Sequence, residues 1–335
     1  MTSTSDRIGT LILTGFLGSG KTTFLNRLLS SPYGRTAAVI VNEFGEIGLD
    51  QALIETFDQN TVMLDSGCVC CTVRDSLSVT LEDLERKRST GELPRFDRVL
   101  IETTGLADPG PILRLLISDP MVAGRYAVEA VAATVDAVLG RVTLDRQPEA
   151  VRQVALADFI LLTKTDIADP EETARLRARI AGINSAAPII EAGHDDALQL
   201  TAFSAAAPGG IDRLVELACG DAHDEASGHD HAHGHLDDVH TFTIRAGAIS
   251  WGQYSALVTQ LQAMGNNDLL RLKAVLDIVG NDRPVALHGV QGLIHSPGFA
   301  AAWPTGQRES VFVVIARGSV GETVRAMIEH IVAPE

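Results

Sequence analysis

No part of this 335-residue chain approaches the roughly 20 consecutive apolar residues needed to cross a bilayer. Its hydrophobic runs are broken every few positions by Gly, Asp, Arg or Thr, so no membrane partner is expected. Met1 to Arg7 are polar and lack the basic region and apolar stretch of a secretory signal, which leads us to expect a cytoplasmic protein. Basic residues are also in deficit: 27 Lys and Arg stand against 43 Asp and Glu, a formal charge of −16. Phosphate backbones are held by clustered cations, so no nucleic-acid partner is expected. Cysteine is scarce, at four residues, and three of them, Cys68, Cys70 and Cys71, fall within four positions. That grouping excludes a disulfide framework and points to metal or redox chemistry in a reducing compartment.

The hydrophobic share of 45% is ample for a core, and the length suits two domains better than one. Through the first two hundred positions short apolar runs alternate with helical patterns, as in a parallel α/β sheet. Strands are expected over Gly9 to Thr14, Ala37 to Val41, Thr61 to Leu64, Arg98 to Ile101, Ala130 to Val135, Phe159 to Thr163 and Pro188 to Glu191. Helices are expected over Lys21 to Ser30, Asp75 to Lys87, Pro109 to Ile117, Pro148 to Ala157 and Pro170 to Ile183. The fold class is therefore α/β, a doubly wound and mostly parallel sheet with ligands at the carboxyl ends of its strands. Residues 219–238 collapse into Gly, Ala, Asp and His without an apolar period and are expected to be a flexible linker. They would join a nucleotide domain, residues 1–218, to a smaller α+β domain, residues 239–335. In the latter, strands are expected over His240 to Ala246, Leu269 to Val279, Pro284 to Ile294 and Ser310 to Ala316, and helices over Trp251 to Met264 and Val320 to Val332.

Gly15-Phe16-Leu17-Gly18-Ser19-Gly20-Lys21-Thr22 fits the eight-residue phosphate-binding pattern between a strand and a helix. Gly15, Gly18 and Gly20 let successive N–H groups turn inward around a phosphate chain, with Ser19 between them and Thr23 opening the helix. Lys21 would reach the β- and γ-phosphates, and the Thr22 hydroxyl would bind Mg²⁺. After a second apolar strand, Glu102-Thr103-Thr104-Gly105 offers an acid for the Mg²⁺ shell and a glycine N–H for the γ-phosphate. The same residues also read as a helix start capped by Thr103 or Thr104. After a third, Thr163-Lys164-Thr165-Asp166 has the form of a guanine-reading loop: Asp166 would accept from guanine N1 and N2, and Lys164 would lie along the base. Thr163 stands where Asn is usual and can make fewer hydrogen bonds. A charged surface turn is the plainer alternative.

These motifs, together with Gly67-Cys68-Val69-Cys70-Cys71-Thr72, resemble the CobW-type GTPases, the metal-handling branch of P-loop proteins that includes hydrogenase and urease maturation factors. Val41-Asn42-Glu43-Phe44-Gly45-Glu46-Ile47-Gly48 is similar to the family's switch-like segment. Leu269-Leu270-Arg271-Leu272-Lys273, His288-Gly289-Val290-Gln291 and Trp303 resemble its C-terminal domain. The resemblance implies a GTP-hydrolysing metallochaperone that binds Zn²⁺ or Co²⁺ and delivers it to a client metalloprotein or a cobalamin-assembly protein, with a homodimer compatible.

Three thiols so close can converge on one borderline cation, since thiolates suit Zn²⁺ and accept Co²⁺ in tetrahedral geometry. Glu43 is the candidate for a fourth position. Buried small hydrophobes and a redox pair are the competing readings of the same cysteines. His229, His231, His233 and His235 alternate among carboxylates, an arrangement that can collect Zn²⁺, Co²⁺ or Ni²⁺ as an auxiliary site, or serve only as a solvated linker. Lys21, Glu102 and Glu46 are the expected catalytic groups, with slow intrinsic hydrolysis. Two rival functions fit the motifs: a metal buffer with a regulatory nucleotide, and an ATP-dependent enzyme with structural zinc.

Overall fold

The computed structural model describes residues 7–31, 34, 36–41, 73–192, 238–265, 267–294, 297–300, 302–303 and 308–333. The expected strand Thr61 to Leu64 and residues 219–237 lie outside them.

Apolar strands buried on both faces are what the continuous hydrophobic runs require. The first sheet joins β1 (Ile8–Gly15), β2 (Ala37–Val41), β3 (Arg98–Glu102), β4 (Tyr126–Asp136), β5 (Phe159–Thr163) and β6 (Ile189–Glu191) in the order β2-β3-β1-β4-β5-β6, every described pair parallel. Period-two alternation divides the side chains between two cores. Leu11, Leu13, Val39, Leu100, Ala132 and Leu161 meet Phe24, Leu25 and Leu28 of helix α1 (Lys21–Ser30). Ile12, Ile40, Ile101, Val131, Ala133 and Ile160 face the other way. There they meet α2 (Val73–Thr90), α3 (Gly110–Ser118), α4 (Pro120–Ala123), α5 (Gly140–Arg146), α6 (Pro148–Leu156) and α7 (Pro170–Ile183). α7 starts where Asp169 accepts from the Glu171 and Glu172 N–H groups and Pro170 takes the first turn, a position that needs no donor.

The second sheet is antiparallel: β7 (Val239–Ala246), β8 (Leu269–Leu276), β9 (Val285–Val290), β10 (Leu293–Ile294) and β12 (Ser310–Arg317) run in the order β10-β9-β8-β12-β7, with β11 (Gly298–Phe299) paired to β9. One face packs Leu272, Leu276, Phe312 and Val314 against Leu257 and Leu261 of α8 (Trp251–Met264) and Val324 and Ile328 of α9 (Val320–Val332). Ser250 and Gln253 close a capping box at the start of α8. The other face turns Leu270, Val290 and Ile315 into the core of the parallel sheet.

That interface also buries charge. The Asp158 Oδ1 accepts from Arg271 at 2.5 Å and Lys273 at 2.8 Å, while its Oδ2 accepts from the Val131 N–H at 2.9 Å. Burial alone would push the Asp158 carboxyl up, but the Arg271 guanidinium and the Lys273 ammonium, with the hydrogen bonds from Lys273 and Val131, hold it well below the usual carboxylate range.

Two expectations change. Pro284 to Ile294 is a hairpin rather than one strand, because Gln291 and Gly292 both take positive φ, 47° and 77°, and reverse the chain. The strand from Leu269 stops at Leu276, where the Asp277 N–H turns to the Ser310 hydroxyl at 3.0 Å.

The depressed carboxyl of Asp158 stabilises the fold above the unfolded-state carboxylate value of about 4, and that stability is lost as pH falls further. Asp158→Asn leaves two cations facing each other and should cost about 3–5 kcal/mol at neutral pH. Denaturant unfolding across pH checks both: the difference between wild type and variant should shrink on acidification below about pH 4.

Candidate nucleotide-binding site

β1 ends at Gly15 and α1 begins at Lys21, so residues 15–20 form a loop at the carboxyl edge of the sheet. Lys21 is buried, and its Nζ donates to the Gly15 carbonyl at 2.9 Å and the Phe16 carbonyl at 3.1 Å, closing the loop from within. Gly20 has φ 90°, and a Cβ there would sit 3.3 Å from the Thr163 methyl, so both backbone and neighbour require glycine. The Ser19 and Thr134 hydroxyls are 2.6 Å apart, and Thr134 Oγ1 donates on to the Thr14 carbonyl at 3.3 Å, anchoring the loop to β1 and β4.

Strand order then brings in Glu102. β3 lies beside β1 with Glu102 opposite Leu13, which carries its carboxylate to the start of α1. The Thr22 hydroxyl donates to Glu102 Oε1 at 2.8 Å. A hydroxyl and a carboxylate side by side are hard oxygen donors and fit Mg²⁺.

The chain continues from Glu102 across the phosphate loop. Thr103 donates to the Thr14 hydroxyl at 2.9 Å, and its N–H to the Leu13 carbonyl at 2.9 Å. Neither Thr103 nor Thr104 caps a helix, for α3 starts only at Gly110, after Pro109. Gly105 presses on the phosphate loop so closely that a Cβ would lie 2.7 Å from the Leu17 backbone nitrogen. From behind, the buried Gln153 amide donates to the Gly105 carbonyl at 3.2 Å and the Ala107 carbonyl at 3.0 Å.

The base loop is arranged otherwise than its letters indicate. Thr163 is buried, and its hydroxyl donates to the Ser19 carbonyl at 2.8 Å and the Val135 carbonyl at 3.3 Å. It therefore braces the phosphate loop. Lys164 is left-handed, φ 58°, and pairs with Asp136 Oδ2 at 2.6 Å, while Asp136 Oδ1 accepts from the Val138 and Leu139 N–H groups. Asp166 is exposed, as a base reader must be.

The structure thus brings together Gly15, Ser19, Gly20, Lys21, Thr22, Glu102, Gly105 and Thr163. Glu43, Glu46, Cys68, Cys70, Cys71, His229, His231, His233 and His235 lie outside the described residues, among which no group of three or more His, Cys, Asp or Glu forms a metal site. Sequence reasoning missed Thr134, Asp136 and Gln153. The first two sit at the carboxyl end of β4, where this sheet type places ligand loops. Gln153 leaves a weaker signal, one polar residue in the apolar phase of α6.

Comparison with known proteins places the chain in a family. Residues 9–191 match the family described as CobW/HypB/UreG, nucleotide-binding domain, and residues 239–332 the cobalamin synthesis protein cobW C-terminal domain. The zinc chaperone YjiA of Escherichia coli K12 is 42% identical over 189 residues, which is 56% of this chain and 58% of that relative. The zinc chaperone CobW of a Sinorhizobium species is 27% identical over 361 residues, 97% of this chain and 98% of the relative. The alignment to the first therefore takes in less than two thirds of its length, and that to the second nearly all. The solved structure of Zn(II)-bound YjiA GTPase from E. coli superposes with a TM-score of 0.68 at 29% identity, covering 97% of this chain and 99% of the other.

If Thr163 braces the phosphate loop, Thr163→Val should weaken GTP, GDP and ATP alike, by about fivefold for a hydrogen bond of about 1 kcal/mol. Competition binding reads this directly, and a loss confined to guanine nucleotides would instead make Thr163 a base reader.

Proposed function

The chain belongs to the CobW/HypB/UreG family, and from that premise we propose that it is a GTPase that carries zinc as cargo and gives it up to a client protein when GTP is hydrolysed. The observation that carries this reading is the meeting of three elements at one edge of the sheet: the closed phosphate loop, the Thr22–Glu102 pair, and Gly105 resting on Leu17. The chain leaves β2 at Val41 opposite Glu102, on that same edge, and the segment carrying Cys68, Cys70 and Cys71 ends where α2 starts back at Val73.

In the proposed cycle the backbone N–H groups of residues 15–20 and the Lys21 ammonium hold the phosphate chain, and Asp166 selects guanine. Mg²⁺, held by Thr22 and Glu102, would neutralise the charge of the β- and γ-phosphates. The Gly105 N–H, in a segment that Gln153 holds at the Gly105 carbonyl, reads the terminal phosphate. Residues 42–48 respond to the same phosphate, with Glu46 beside the attacking water. Their ordering draws the thiols of Cys68, Cys70 and Cys71 onto zinc, with Glu43, water or a donor from the client in the fourth position, and cobalt fits the same donors. An open shell favours transfer over storage. The histidines of residues 229–235 collect cations, in the segment joining the nucleotide unit, residues 1–218, to residues 239–335. The recipient is a metalloprotein or a cobalamin-assembly protein, and hydrolysis is slow until it docks.

Linkage supplies the test. If GTP tightens the zinc grip, zinc tightens GTP binding by the same factor, typically about 5–150-fold. Titrating a non-hydrolysable GTP analogue with and without Zn²⁺ should show this factor in wild type and none after Cys68, Cys70 and Cys71 are changed to Ser. Equal affinities in wild type would leave a nucleotide-binding protein whose metal is unconnected to it.

A further inference from the structure

Gln291 holds a backbone conformation that its residue type rarely adopts. Its φ is 47°, in the two-residue turn between β9 and β10, where Gly, Asn and Asp are the usual choices. A strained position that keeps an unfavourable residue invites a search for what its side chain does. That side chain is 6% exposed and lies flat against Gly110, the first residue of α3: a Cβ on Gly110 would be 2.0 Å from Gln291 Nε2 and 2.4 Å from its Oε1. The Oε1 is buried without a hydrogen-bond partner among the described residues. Filling space alone would call for an apolar side chain, since a buried amide with an unfilled acceptor is costly.

Gly110 closes the segment that begins at Glu102. Its N–H is held by Asp108 Oδ1 at 2.8 Å, and five residues earlier Gly105 rests on the phosphate loop. Gln291 belongs to the other sheet, its N–H bound to the Leu270 carbonyl at 3.2 Å. A second contact ties α3 to the turn before β8, from Arg114 to Asn267 Oδ1 at 2.6 Å.

We propose that Gln291 is a positioning residue for the GTPase site: its amide, wedged on Gly110, transmits the position of the Glu102–Gly110 segment to the antiparallel sheet and back. The unfilled acceptor beside the Asp108–Gly110 turn favours any loop position that brings a backbone N–H to it. The terminal phosphate, by pulling on Gly105, selects between two such positions. A protein bound to the antiparallel sheet then changes GTP affinity, and GTP changes its affinity equally. This rests on the GTPase reading above.

Two substitutions separate this role from plain packing. Gln291→Gly suits the left-handed turn and removes the amide. Gly110→Ala favours the helix by itself yet displaces Gln291. Binding of GTP analogue and GDP to the full chain is measured with Mg²⁺, alongside thermal unfolding. The expected result is that Gln291→Gly melts no lower than wild type while its GTP-to-GDP affinity ratio changes about fivefold or more, with Gly110→Ala shifting the ratio the same way. An unchanged ratio in both variants, whatever their melting temperatures, overturns the proposal. Wild type that binds neither nucleotide would instead overturn the GTPase reading.

Discussion

Gly105 has no room. Its backbone lies against the phosphate loop on one side and is held through its carbonyl by Gln153 on the other, so a ligand that draws its N–H must move the loop as a unit. The proposed function depends on this close approach. The β1–β3 adjacency creates it, because the same register that delivers Glu102 to Thr22 delivers the next residues across the phosphate loop. A terminal phosphate is one group of atoms, and only a segment already in contact with the loop can report its presence.

Besides the apolar contacts of Leu270, Val290 and Ile315 and the Arg114–Asn267 hydrogen bond, two polar contacts of different strength join the antiparallel sheet to this machinery. At Asp158 a partly buried carboxylate meets two buried cations, and breaking such a cluster costs about 3–5 kcal/mol. At Gln291 the contact is a neutral amide on a glycine, where a rearranged hydrogen bond is worth about 1 kcal/mol. The first therefore acts as a fixed attachment over the scale of thermal motion, and the second as the contact free to change.

Much of this was legible before any coordinates. The strands around both cores follow from unbroken apolar runs, since a strand buried on both faces has no polar alternation to hide it. The phosphate loop follows from glycine spacing. What escaped depends on neighbours distant in sequence. Thr163 stands in a guanine-type motif, and its bond to the Ser19 carbonyl arises from β4–β5 pairing that the local letters do not show. The hairpin at Gln291 was invisible because Gln is not a residue that announces a left-handed turn. The seven residues of α5 were too short to show a helical period, and the partnership of Thr22 with Glu102 is a matter of strand order, which local pattern does not encode.

Amide hydrogen exchange tests most directly whether the terminal phosphate is read by one segment and passed on. Comparing the GDP-bound protein with the protein bound to a non-hydrolysable GTP analogue, the account predicts slower exchange through residues 103–110 and, with it, altered exchange in residues 289–293 of the other sheet. Protection confined to residues 15–23, with no change at either of those segments, would contradict it.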